Sequence, residues 1–200
     1  MACLTVENLT FAYPGCAPVL QNVSLQVESH ERVALKAPSG YGKSTLCQLL
    51  AGYLTPQQGS VLLDGKKPQA GSGKPNAVQL IWQHPEQVMD PYLRMSESLA
   101  EVGGITEELR AGLGIKPEWL TRFPHELSGG ELQRCCIART LMCRPQFIIA
   151  DEISTMLDAI TQAQIWHFLL EYTQNNGVGL VMVTHSPALL QRLATRVIEL

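Results

Sequence analysis

The segment Lys36-Ala37-Pro38-Ser39-Gly40-Tyr41-Gly42-Lys43-Ser44-Thr45 lies between a stretch of strand character and one of helical character. A glycine-rich turn in that position aims successive backbone N–H groups at one point, and the helix that follows adds partial positive charge there, which suits a phosphate. Lys43 is placed to reach terminal phosphates and the Ser44 hydroxyl to ligand Mg²⁺. The spacing departs once from G-x-x-x-x-G-K-[ST], because Ala37 stands at the first glycine. If that position requires a positive φ, the methyl costs about 1 kcal/mol, which a bound nucleotide offsets. The plainer alternative is a glycine-rich strand-to-helix turn that binds nothing.

A second segment supplies acid. Phe147-Ile148-Ile149-Ala150 is an apolar run of strand length, and Asp151-Glu152 ends it. A buried strand that delivers a carboxylate at its C-terminal end sets a Mg²⁺-facing Asp beside a phosphate loop. Asp151 fits that position. Glu152, one residue on, projects differently and is placed to polarise an attacking water. Taken alone, the pair is equally a strand followed by a solvated acidic turn; the loop at 36–45 argues against that.

These groups need a scaffold that brings strand ends together, and the pattern of the chain predicts one. Residues 4–9, 19–27, 32–35, 61–63 and 78–82 have strand character, and 147–150 and 180–183 are continuous apolar runs expected of strands covered on both faces. Helical periodicity marks 42–53, with Leu46, Leu49 and Leu50 on one side, and 160–174, which Asn175-Asn176-Gly177 should stop. Between 83 and 144 strand signals vanish and helical segments take over at 96–102, 106–113 and 131–142. Strands resume afterwards, so this is an insertion within one α/β domain with a largely parallel sheet.

Within the insertion, Leu127-Ser128-Gly129-Gly130-Glu131-Leu132-Gln133-Arg134 opens a helix with small residues. By its chemistry it is a good helix N-terminus, suited to an anion but without a lysine of its own. Together with the two segments above it resembles the signature of ABC ATPases, and the likeness runs from Leu4 to Leu200. In that family the Ser hydroxyl and Gly amides contact the γ-phosphate of ATP held by a second subunit, so the corner is half of a site. Other positions match in order. Tyr13 matches the aromatic that stacks on adenine. Gln83 matches the glutamine that touches Mg²⁺ and water and links the subdomains. Asp158 matches the aspartate at the dimer interface, and His185 the histidine on the γ-phosphate. Outside the resemblance, Tyr13 is a strand-end tyrosine and His185 a structural histidine.

The resemblance implies a P-loop NTPase core with a mostly parallel central sheet, an N-terminal antiparallel β subdomain and an inserted helical subdomain. It implies a single domain over 1–200, with the core at 1–83 and 145–200 and the insertion at 84–144. It further implies ATP and Mg²⁺, with Glu152, His185, Gln83 and Lys43 catalytic. Nucleotide contacts would come from Tyr13, Pro38, Ser39, Gly40, Tyr41, Gly42, Lys43, Ser44, Thr45, Ser128, Gly129, Gly130 and Asp158. Metal contacts would come from Ser44, Gln83 and Asp151. Two departures are noted: Ile153-Ser154 stands where the family has Pro-Thr, and Thr155-Met156 where it has Ser-Ala. Neither removes a functional group; what they bear on is communication between the two sites.

Gln83-His84-Pro85-Glu86-Gln87-Val88-Met89-Asp90-Pro91, Pro124-His125-Glu126 and Ala159-Ile160-Thr161-Gln162-Ala163-Gln164-Ile165 resemble the peptide/nickel importer branch. The implied partners are a second ATPase subunit, identical or not, integral membrane permease subunits and, indirectly, a solute-binding protein. The implied location is the cytoplasmic face of the cell membrane, with residues from about 84 to 122 passing closure to the permease. The chain stops at Val197-Ile198-Glu199-Leu200, where the family continues into a closing strand. An ABC ATPase without a transporter, acting on a cytoplasmic assembly, is the competing reading; it lacks the second ABC domain, coiled coil or basic surface that such proteins carry. A regulatory module without hydrolysis is opposed by Asp151, Glu152 and His185.

Composition agrees. Net charge is −3 and no basic block exists, which argues against nucleic acid as a partner. No apolar run reaches the roughly 20 residues needed to span a bilayer, and the N-terminus lacks a signal-peptide layout. Charged residues are only 16% of the chain, against roughly 25% in a typical soluble domain; partner-facing surface and a large core both account for that. The six cysteines form no C-x-x-C pair, and Cys136 and Cys143 are spaced to share a helix face, so small buried hydrophobes held reduced are expected.

Overall fold

The computed structural model describes residues 1–38, 40–68, 75–155 and 157–200; Ser39 and Met156 lie outside the described residues. Two sheets carry the fold. Strands β1 (Cys3–Phe11), β2 (Leu20–Glu28) and β4 (Gln58–Leu63) form an antiparallel sheet ordered β2-β1-β4. Strands β3 (Arg32–Lys36), β5 (Val78–Ile81), β6 (Phe147–Asp151), β7 (Gly179–Val183) and β8 (Arg196–Glu199) form a parallel sheet ordered β5-β6-β7-β3-β8.

Every residue of β6 and β7 is buried, which is why they carry no polar alternation. The pleat divides their side chains between two cores. Phe147, Ile149, Val181 and Val183 pack with Leu35, Leu46, Leu49 and the inner face of β1. Ile148, Ala150, Leu180 and Met182 pack with helices on the other face, against Ile137, Ile165 and Leu169. Each fully buried Val, Leu, Ile, Phe or Met side chain among these contributes about 1.5–3 kcal/mol of transfer free energy.

Helix α1 (Lys43–Leu50) begins one residue later and ends three earlier than the periodicity predicts. Gly52 has φ +78, and its N–H bonds Leu49 O while the Tyr53 N–H bonds Gln48 O, so the chain turns out of the helix at a left-handed glycine. Helix α2 (Met95–Ala100) likewise stops before Gly103 and Gly104, both at positive φ, and α3 (Glu107–Gly112) starts on the side-chain cap of Thr106. Single 3₁₀ turns begin on Pro85, Pro117 and Pro124.

Helix α4 (Gly129–Met142) starts two residues before the predicted 131, because Ser128 and Glu131 form a reciprocal capping box: Ser128 Oγ accepts from Glu131 N at 3.4 Å and Glu131 Oε2 accepts from Ser128 N at 2.8 Å. Helix α5 (Ala159–Asn176) begins one residue before the expected 160 and runs two residues past 174, through Asn175 and Asn176, so that Gly177 at φ +64 alone is its stop. Helix α6 (Pro187–Leu193) was not anticipated, although Ser186 and Pro187 are a helix-start pair. The last residues also differ from expectation, since 196–199 themselves form strand β8, paired parallel to β3.

Candidate active site

Strand β3 runs into the phosphate loop, and β5, β6 and β7 lie in a row on one side of it, so residues just past four strand ends converge. Gly42 sits at φ +83, and a β-carbon there would come within 2.6 Å of Val19 Cγ1. Only glycine fits the approach. Ala37, by contrast, is not among the residues with positive φ, so its methyl incurs no left-handed penalty and the conditional cost stated above does not arise.

Lys43 is buried, and Nζ donates to Ala37 O and Pro38 O, both at 3.0 Å. Its ammonium is thus held at the mouth of the loop. Ser44, Tyr41, Gly40 and Pro38 are exposed around it. Tyr13 stands just beyond β1, edge-on to Phe11 at 5.0 Å, with its hydroxyl 3.2 Å from Thr45 Oγ1. The residue is 39% exposed.

Asp151 ends β6 and is 6% exposed, and among the described residues its Oδ1 has no hydrogen-bond partner. Burial pushes its carboxyl above the ordinary carboxylate range; Ser44 pulls it back, the charge of Glu152 raises it further, and Lys43 opposes that. A buried, unpartnered carboxylate oxygen beside an exposed hydroxyl suits a hard cation. Among the described residues no three of His, Cys, Asp or Glu cluster as a metal-holding group.

Glu152 takes φ +49, an uncommon left-handed conformation for a side-chain-bearing residue, with its N–H bonded to Val183 O at 3.0 Å. Its Oε1 lies 2.8 Å from His185 Nε2 and its Oε2 accepts from Gln83 Nε2 at 3.4 Å. Gln83 follows β5, Glu152 follows β6 and His185 follows β7, so three sequence-distant residues meet because their strands are neighbours.

The corner at the start of α4 is elsewhere in kind. Ser128 and Gly129 are exposed, and among the described residues no hydrogen bond joins them or Gly130 to the phosphate loop. A β-carbon on Gly130 would lie 3.3 Å from Leu157 Cδ2 and 3.9 Å from Thr161 Cγ2. Ser128, Gly130, Lys116, Arg134 and Asp158 share a cavity of about 370 Å³. Asp158 also caps α5, accepting from Ile160 N and Thr161 N at 3.0 Å each; the Thr161 N–H in particular holds its carboxyl below the usual range.

Several residues near the site were passed over in the sequence. Gln133, inside the signature helix, donates from Nε2 to Trp82 O at 3.1 Å, tying α4 to the residue before Gln83. Gln162 and Trp166 both donate to Ser154 Oγ. Polar side chains at helix positions facing an apolar core were the available signal. The cysteine expectation holds for Cys47, Cys135 and Cys136, which are buried, the thiol of Cys135 pushed up to about 12 by burial; Cys3 and Cys143 are half-buried and Cys16 exposed. No helix among the described residues is long and apolar enough to cross a membrane.

Residues 20–155 match the ABC transporter family. A probable D,D-dipeptide transport ATP-binding protein of Escherichia coli is 33% identical over 190 residues, covering 89% of this chain; the chain spans 59% of that relative's length. A nickel import system ATP-binding protein of Staphylococcus aureus is 31% identical over 210 residues, covering 98% of this chain and 86% of that protein. A solved ATP-binding cassette, dimeric and bound to ADP and Pi in a post-hydrolysis state, superposes with TM-score 0.84 at 25% identity, over 98% of this chain and 94% of its own. A match running from the start of β2 past the acidic end of β6, on a fold shared nearly end to end with that cassette, makes this chain a member of the ABC transporter family.

Proposed function

We propose that the chain is the ATP-binding and ATP-hydrolysing subunit that energises an ABC importer, for oligopeptides or for nickel or a nickel-carrying ligand. The observation that carries it is the meeting of Gln83, Glu152 and His185 beside the phosphate loop. A carboxylate held between an amide and an imidazole, next to a site for terminal phosphates, is suited to accepting a proton from a water in line with the γ-phosphorus.

In this reading Lys43 leaves its two loop carbonyls for the β- and γ-phosphates, and the amides of residues 40–45 cradle the same oxygens. Tyr13 covers the adenine. Ser44, Asp151 and Gln83 would hold Mg²⁺, which when bound offsets charge on the phosphate oxygens. Glu152 takes the proton from water, and His185 donates a hydrogen bond to the γ-phosphate as charge develops. Ser128 and Gly129 are exposed and Gly130 half-buried beside them, which supports their serving a second subunit's nucleotide, with Asp158 at the same interface. The dimeric ADP- and Pi-bound relative supports that arrangement. Residues 84–144 would form the helical unit that meets permease subunits at the cytoplasmic face of the membrane, and a solute-binding protein would supply the cargo.

Relatives named for dipeptide transport and nickel import favour transport over service to a cytoplasmic assembly. Phosphate release from Mg-ATP by the purified chain, together with its dimer partner, tests the reading. Turnover that depends on Mg²⁺ is expected; ATP binding without any turnover in the assembled dimer would overturn it.

A further inference from the structure

Between Glu152 and Asp158 the chain travels from the acid at one nucleotide site to the interface that faces the other. Midway it is bolted to α5. Ser154, 4% exposed, accepts at Oγ from Gln162 Nε2 at 2.8 Å and from Trp166 Nε1 at 3.0 Å, which engages both lone pairs of the hydroxyl. Gln162 and Trp166 are four apart on α5, hence on one face, and the Trp166 ring is 2% exposed. Beside it Ile165 and Leu169 are packed into the core under the central sheet. The clamp is therefore anchored in the buried core.

Either side of Ser154 the connections are short. Upstream, both Thr155 N and Thr155 Oγ1 bond Glu152 O, at 3.3 and 3.1 Å, behind the residue whose φ is +49. A left-handed glutamate persists only where its surroundings over-determine it. Downstream, Leu157 N bonds Ser154 O at 3.2 Å, and the Leu157 side chain lies against Gly130 of the signature corner. Asp158 then caps the same α5 that carries the clamp. Glu152 is thus tied through Thr155 to its chain neighbour Ser154, and Ser154 through Leu157 to Gly130, with α5 as the common support.

We propose that Gln162 and Trp166 are positioning residues that act through Ser154, fixing Glu152 at its own phosphate site and, by the same hold, the Gly130 corner offered to the partner's nucleotide. This deepens the hydrolase reading above and rests on it. Both donors reach Ser154 Oγ, and their effect is to make the geometry of one site depend on that of the other.

The variants are Trp166→Phe, which keeps an aromatic ring and removes the Nε1 donor, and Ser154→Ala, with Ser154→Thr as the version that retains the hydroxyl. In the assembled ATPase, Trp166→Phe and Ser154→Ala are expected to lower kcat roughly tenfold with KM for ATP moving less than about twofold, the signature of lost organisation rather than lost binding. The Hill coefficient for ATP should fall toward 1, and Ser154→Thr should restore both. Amide exchange at Leu157 reads the clamp without turnover and is expected to accelerate in Trp166→Phe. A folded Trp166→Phe with unchanged Leu157 exchange, or with kcat and ATP affinity falling by the same factor, overturns the proposal. If the unmodified dimer does not hydrolyse ATP while Leu157 exchange still accelerates, the hydrolase reading is what fails.

Discussion

His185 Nε2 and Glu152 Oε1 are 2.8 Å apart, reaching toward each other from the ends of adjacent strands β7 and β6. The glutamate side chain is 14% exposed and the histidine 51%, so the acid is seated and the imidazole has room to swing. A ligand oxygen entering between them would take the imidazole's hydrogen bond and leave the carboxylate free for water.

Glu152→Gln keeps the size and the partner to Gln83 but removes the proton acceptor. Expected is normal ATP binding with kcat down roughly 10²–10³-fold. Steady-state hydrolysis and nucleotide binding measured on the same preparation check it, and full turnover would remove Glu152 from the role.

Lys43→Ala deletes the ammonium that now spans Ala37 O and Pro38 O. Two effects combine: the phosphates lose their cation, and two loop carbonyls lose their donor. ATP should no longer raise the melting temperature, since the stabilisation a ligand gives scales with its affinity. An ATP dependence equal to the parent's would contradict the phosphate-loop assignment.

The two ends of the loop should respond oppositely to glycine. Ala37→Gly restores the pattern yet gains nothing, because Ala37 is not at positive φ; the added unfolded-state freedom should cost about 0.4–1 kcal/mol with ATP affinity unchanged. Gly42→Ala faces φ +83 and a contact at 2.6 Å with Val19, and should lose ATP binding outright. Denaturant melts and titrations of both variants decide the matter.

Much of this arrangement was legible in the chain, and for physical reasons. Strands β6 and β7 announce themselves because burial on both faces demands an unbroken apolar run, and Asp151 because an acid at the end of such a run is conspicuous. Ser128-Gly129-Gly130 marks a helix N-terminus in the sequence, although periodicity sets the start of α4 two residues late, at 131. Other relations are not local. That Gln83 meets Glu152 depends on β5 lying beside β6, a pairing across 69 positions that no short window contains. The Ser154 clamp is not legible, because nothing in a local window says that Gln162 and Trp166, eight and twelve positions on, turn back to the Ser154 hydroxyl. The backbone of Ala37 stays open in the sequence because the pattern names a glycine there without saying what conformation it takes; the structure settles the condition, since Ala37 is not at positive φ.

Asp151 separates stability from function most sharply. Burial raises its carboxyl pKa above the ordinary 3.8, so the nucleotide-free protein holds protons that the unfolded chain has released. Stability then falls as pH rises from 3.8 through the raised folded-state value, and the cost of the buried charge is fully present above it. Asp151→Asn removes that charge while keeping the shape. The nucleotide-free variant should therefore melt higher than the parent at pH 7, and the two should converge as pH drops toward 3.8 and the parent's carboxyl becomes neutral. With Mg-ATP the order reverses, because the parent gains the stabilisation of a bound cation and nucleotide and the variant loses its anionic ligand. Melting curves at pH 7, with and without Mg-ATP, read both effects. A variant less stable than the parent without ligand would mean that Asp151 is paired within the fold rather than held in readiness for a metal.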